Sequence, residues 1–120
     1  MMERFGLCRG LRIPLWKNLQ AELWFCPQGA KVPPHVHLTL DSFIIYLLGS
    51  MRVTVEQTTR DVFGPFRRRQ STGKWILATK YIPAGVRHCA EVLGSFAVFL
   101  NIERCHDVRI SASRDFVPVP

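Results

Sequence analysis

The sequence predicts an all-β chain, folded as one antiparallel β-barrel or double-sheet jelly roll. Three observations carry this. Short runs rich in aromatic and β-branched residues recur between Gly and Pro punctuation. No window of twelve or more residues keeps a 3.6-residue apolar period. Residues 51–56 alternate with period two, Met51, Val53 and Val55 on one face and Arg52, Thr54 and Glu56 on the other.

The elements follow in order. Residues 20–26 form a strand stopped by Pro27, Gln28 and Gly29. Residues 43–48 form another, apolar at every position and so expected to be buried on both faces. Gly49 and Ser50 are expected to turn the chain into the strand 51–56. Residues 75–82 form a strand ended by Pro83, Ala84 and Gly85. Residues 87–93 and 96–102 are expected to pair as a hairpin about Gly94 and Ser95. Segments 1–18 and 107–120 are expected to be arms or extra strands around a barrel core of about 20–102.

The chain has 120 residues, 48% of them apolar and 21% charged, which suits a single domain with one core. Its longest unbroken apolar run is six residues, against the ~20 of a membrane-spanning helix. No signal or transit peptide pattern is present. The four cysteines contain no Cys-x-x-Cys pair. Buried thiols in a reducing, cytoplasmic compartment are the expectation. The net charge is +7, and residues 60–80 hold six basic side chains against the single acid Asp61. A solvated hairpin tip bearing Arg67, Arg68 and Arg69 explains this run. Contact with a nucleic acid or a larger assembly is the functional alternative.

The histidines carry the chemistry. His35 and His37 stand two apart, and on an extended strand such residues share a face. Two imidazoles side by side gain little from packing, whereas a shared metal ion satisfies both. A second segment, PAGVRH at 83–88, places Pro83 and Gly85 in a turn just before His88.

Together the two segments resemble the cupin family. Its first motif is matched by Gly29, His35, His37 and the closing Gly49. Its second, Pro-x-Gly-x-x-His, is matched by Pro83, Gly85 and His88. The resemblance covers about residues 20–102 and implies a single-domain cupin-type antiparallel jelly-roll β-barrel. It also implies a divalent metal, one of Fe, Mn, Ni or Zn, held inside the barrel by His35, His37 and His88. The family's acidic ligand falls at Ser42 here, with Asp41 one place earlier. Strand neighbours face opposite ways, so Asp41 reaches the metal only if a bulge re-aims it. Three outcomes remain open at this point: a three-histidine site with open positions, a four-ligand site completed by Asp41, or a metal-free barrel. The first is similar to the thiol dioxygenase branch, which holds Fe(II) with three histidines.

Tyr46, Tyr81 and Ser42 are the candidate ligand-contacting residues. Trp24, Phe25 and Trp75 are read as core before pocket, His106 as a surface residue, and Glu22 and Glu56 as outward residues. The function implied is a metal-binding cupin, with a small-molecule metalloenzyme of dioxygenase or isomerase type as its catalytic form. The alternative is a non-catalytic ligand-binding or assembly module that uses the basic loop. A homodimer through the 43–48 strand is expected.

Overall fold

Eleven strands and no helix build the described part of this structure, a computed structural model that describes residues 2–68, 72–106 and 111–120, Arg68 by its backbone only. They are β1 (Met2–Phe5), β2 (Cys8–Trp16), β3 (Leu19–Pro27), β4 (Lys31–Val36), β5 (Leu40–Val55), β6 (Thr58–Phe63), β7 (Phe66–Arg68), β8 (Trp75–Leu77), β9 (Thr79–Ile82), β10 (His88–Cys105) and β11 (Val117–Pro118). Nine join one curled sheet in the order β1-β2-β3-β10-β4-β11, with β5 pairing β10, β6 and β9. β7 and β8 form a separate two-stranded ribbon. Every pairing is antiparallel, and the whole is an all-β jelly-roll barrel. No helix among the described residues is long and apolar enough to cross a membrane.

The long strands β5 and β10 form the spine. Residues 88–92 of β10 pair with 51–55 of β5, and residues 97–105 pair with 40–49. Between these blocks the register slips and both strands bend. The expected turn at Gly49 and hairpin at Gly94 are therefore corrected: the two glycine sites are bends in continuous strands. Glycine inside a strand often marks such a bend rather than a reversal. Gly49 sits at φ 77°, and a Cβ there would strike the carbonyl oxygen of Phe96. The strand expected over 75–82 is also divided. It breaks at buried Ala78, whose N–H donates to Pro65 and whose carbonyl accepts from Tyr46. Its first half pairs with β7 and its second with β5.

Strand parity sorts the side chains. Gln20, Glu22, Trp24 and Cys26 of β3 are all buried, and their cross-strand partners on β10 are Glu103, Asn101, Phe99 and Ala97. Glu22, expected outside, is thus corrected to the inner face, because it shares parity with Trp24 and Cys26. Glu56 is exposed, in the turn between β5 and β6. The expectation that 43–48 is buried on both faces also fails for a single chain. Tyr46 points inward, but Phe43 and Leu48 are 41% and 54% exposed. Trp24 is core, and its ring lies flush against Gly10, where an added Cβ would stand 2.8 Å from it. Phe25 and Trp75 are exposed. Of the arginine run, Arg67 is exposed on β7, and Arg69 lies outside the described residues.

Gly49 and Gly29 both have positive φ, but only Gly49 has backbone within reach of an added Cβ. Gly49→Ala should therefore lower stability by more than ~2 kcal/mol, and Gly29→Ala by about 1 kcal/mol. Urea unfolding of the two variants checks this, and equal losses would contradict a close approach at Gly49.

Candidate metal centre

Two prolines, Pro33 and Pro34, hold the approach to His35 extended. His35 sits near the end of β4, and His37 lies just beyond it. His88 opens β10 and is the register partner of His35. The turn at 83–86 delivers it. Gly85, at φ 83°, donates its N–H to the His37 carbonyl, and Val86 N–H closes the turn onto Pro83. The two motifs are thus tied to each other through backbone.

All three imidazoles are buried. Their ring centroids lie 4.7 Å (His35–His37), 4.1 Å (His35–His88) and 5.2 Å (His37–His88) apart. Their ligand nitrogens fall within 4.8 Å of one another, and the Nε2 atoms of His35 and His37 are 3.1 Å apart. Each Nδ1 faces a backbone carbonyl: Pro33 at 2.8 Å, Val86 at 2.9 Å, and Asp115. A carbonyl only accepts, so each Nδ1 carries the hydrogen and each Nε2 keeps its lone pair. Burial, reinforced by the neighbouring His88, pushes His35 down to about 3. Burial pushes His88 down to about 4 and lowers His37 as well. At neutral pH the cluster is three uncharged nitrogen donors converging on one point. That donor set fits a divalent transition metal.

The other sequence candidates divide. Tyr46 lines the same cavity as the histidines. Asp41 does not join them. Its carboxylate accepts from Ala84 N–H (2.9 Å), Arg104 (2.9 Å) and His106 (2.7 Å). Burial works against its charge, but these donors outweigh it and hold the carboxyl at about 2. The register runs without a slip from Leu40 to Ile45, so no bulge re-aims Asp41, and parity places it opposite Arg104. Its service is indirect, because it pins the turn before His88. Ser42 is buried, but it does not line the cavity, and its Oγ has no partner among the described residues. Tyr81 is corrected too. It pairs with Phe43 on the outer face and is half exposed. His106 is exposed, as expected, although it holds Asp41.

Sequence reasoning missed two groups. The first is the segment 111–118, which closes over the histidines. Phe116 stacks on His35 at 4.2 Å and 20°. The Asp115 side chain accepts from Leu38 N–H, Thr39 N–H and the Thr39 hydroxyl. β11 then pairs with β4. Nothing in the segment's composition signals this. The second is a buried polar cluster. Gln20 donates to Glu103 at 2.7 Å, Asn101 donates to Glu103 at 2.8 Å, and Ala112 N–H donates to Glu22. Burial, then the adjacent Glu22, pushes Glu103 up to about 10, and burial raises Glu22. The even-numbered parity of 20, 22, 24 and 26 was the available signal.

In metal-free protein the histidines stay neutral when folded but take up protons near pH 6.5 when unfolded. The unfolded chain then binds more protons, so stability falls as pH drops from about 6.5 toward 4. The inner glutamates act in the opposite sense, so the informative quantity is a difference. A His35→Gln variant should lose less stability than the parent between pH 7 and pH 4.5. Urea midpoints of chelator-treated protein measure it, and parallel pH profiles would contradict the burial of neutral imidazoles.

No family model matches this chain, and no curated protein matches it. Solved structures do. KdgF from Halomonas sp. is similar over 88% of this chain and 86% of its own, with TM-score 0.70 and 15% identity. The Schizosaccharomyces pombe Cnp3 cupin domain is similar over 89% of this chain and 69% of its own, with TM-score 0.66 and 18% identity. The oxalate decarboxylase of Bacillus subtilis, an enzyme with Mn(II) centres, is similar over 93% of this chain, with TM-score 0.68 and 19% identity. This chain spans only 28% of that enzyme's length. Strand order, motif placement and these likenesses agree, and the fold of this chain is the cupin fold.

Proposed function

We propose that this chain binds one divalent transition-metal ion through the Nε2 atoms of His35, His37 and His88, and that it is a small-molecule metalloenzyme. One observation carries the reading: three buried, uncharged imidazoles, each fixed by a backbone carbonyl at Nδ1, aim their remaining nitrogens at one point. Three neutral protein donors leave a bound ion its full charge and open positions toward the cavity. Such an ion supplies Lewis-acid or oxygen-activating chemistry. The chain's own residues supply the rest. Apolar side chains line most of the cavity, Phe116 stacks on the His35 ring, and Asp41 holds the turn that positions His88. No carboxylate lines the cavity among the described residues, so proton transfer falls to the ligand, the ion or Tyr46, whose hydroxyl burial makes a weaker acid.

Elemental analysis of untagged protein, alongside a His35→Ala, His37→Ala double variant, tests this. Close to one metal per chain, lost in the double variant, is expected. A chain that stays empty after loading with Fe(II), Mn(II), Ni(II) and Zn(II) would leave only the non-catalytic reading.

We also propose a homodimer through the outer sheet face. The register aligns Leu11, Leu23, Leu100 and Ile45 across four strands. The next row is Ile13, Ala21, Ile102 and Phe43, with Tyr81 beside it. An unbroken apolar face of this width on one chain favours a second copy of the same face. Light scattering at micromolar concentration should give twice the chain mass of 13.8 kDa, and Leu100→Glu should shift it to the monomer.

A further inference from the structure

A second cavity, of about 90 Å³, shares Tyr46 and Val53 with the first, and no histidine lines it. Three strands each bring it one cation: Arg60 from β6, Arg67 from β7 and Lys80 from β9. Strand parity puts two of them on the inner face of the sheet. Arg60 is the register partner of buried Val53. Lys80 pairs with Ile44 and stands two residues before buried Ile82. Thr58, opposite Val55, adds a hydroxyl on the face that carries Arg60.

The chain supplies these cations with no counter-charge. Among the described residues, none of the three forms an ion pair. Arginines elsewhere are held: Arg52 by Asp61 at 2.9 Å, Arg104 by Asp41 at 2.9 Å, and Arg87 by the Pro120 carbonyl at 2.8 Å. Asp61 is the sole acid that lines the pocket among the described residues, and Arg52 engages both of its oxygens. Its parity is opposite to that of Arg60. A cleft with cations at its rim and apolar walls, here Val53, Val62 and Tyr46, focuses their field and concentrates anions.

We propose that this pocket binds a phosphate dianion, free or as the terminal group of a small phosphomonoester. A terminal phosphate carries a charge of about −2 near neutral pH and three acceptor oxygens. A carboxylate or a phosphodiester carries a single charge on two free oxygens, a poorer match to three cations and a hydroxyl. The guanidinium fork of each arginine suits two phosphate oxygens at once. The pocket has the volume of several waters, which admits a phosphate with a short substituent. The site is separate from the histidine centre and needs no metal ion.

Calorimetry on the full chain tests it, at physiological salt and after chelation, so that no bound ion can take the anion. The probes are inorganic phosphate, glycerol phosphate, dimethyl phosphate and acetate. Phosphate and glycerol phosphate should bind at one site per chain, about tenfold tighter than dimethyl phosphate or acetate. The tighter of the two names the source, and either order supports the dianion. Arg60→Gln and Lys80→Gln should each weaken phosphate about tenfold. Arg4→Gln removes an equal charge from exposed β1 and should change binding by less than about twofold. Circular dichroism checks the folding of each variant. Equal losses in all three would mean diffuse attraction to a basic protein and would overturn the proposal. So would the lack of saturable binding at millimolar phosphate, or acetate binding as tightly as phosphate, results that need no variant. A single-stranded oligonucleotide without terminal phosphates that binds through Arg60 and Lys80, where inorganic phosphate does not bind, would assign these cations to nucleic acid instead.

Discussion

A pleated strand gives each residue one of two faces, and that binary choice decides the chemistry of this molecule. Along β5 it puts Tyr46 into the cavity and Asp41 across from Arg104. Along β3 it puts Glu22 beside Trp24 rather than in solvent. One bulge near residue 41 would have given the histidines a carboxylate neighbour. The slips fall instead between Leu48 and Tyr46 and around Gly49, beyond the reach of that residue. Parity therefore leaves the cavity with three neutral nitrogens and apolar walls.

The histidine cluster carries an energetic cost that the fold must offset. Three lone pairs face one another in a buried site, and burial removes much of each ring's hydration. Backbone carbonyls from three separate stretches satisfy the opposite side of each ring. The rings are held before any ligand arrives, which is the condition for tight and selective binding. The inner glutamates pose a similar problem with a different remedy. Glu22 and Glu103 are buried together, and their raised pKa values keep the pair from carrying two charges at neutral pH.

Much of this was legible in the sequence. The two motifs placed His35, His37 and His88, and turn residues with period-two runs gave an all-β barrel. What failed did so for physical reasons. Glycines at 49, 94 and 85 look alike in a sequence, yet the first two bend strands and the third makes a turn. Local composition does not say whether a long partner strand runs past the site. Glu22 was assigned by its charge, although its phase relative to Trp24 and Cys26 placed it inside. The closure by 111–118 left no local trace, because its key contacts use a backbone carbonyl and one aromatic ring.

That closure has a consequence for the order of assembly. The contact between His37 and the Asp115 carbonyl joins residues 78 apart in the chain. During synthesis, β4 and the start of β10 emerge well before the segment that covers them. Until it arrives, His37 lacks its carbonyl and His35 lacks its stacking partner. The loop that must close is long, and its closure entropy is recovered only when the last strand docks. The histidines are thus made early and given their final geometry late.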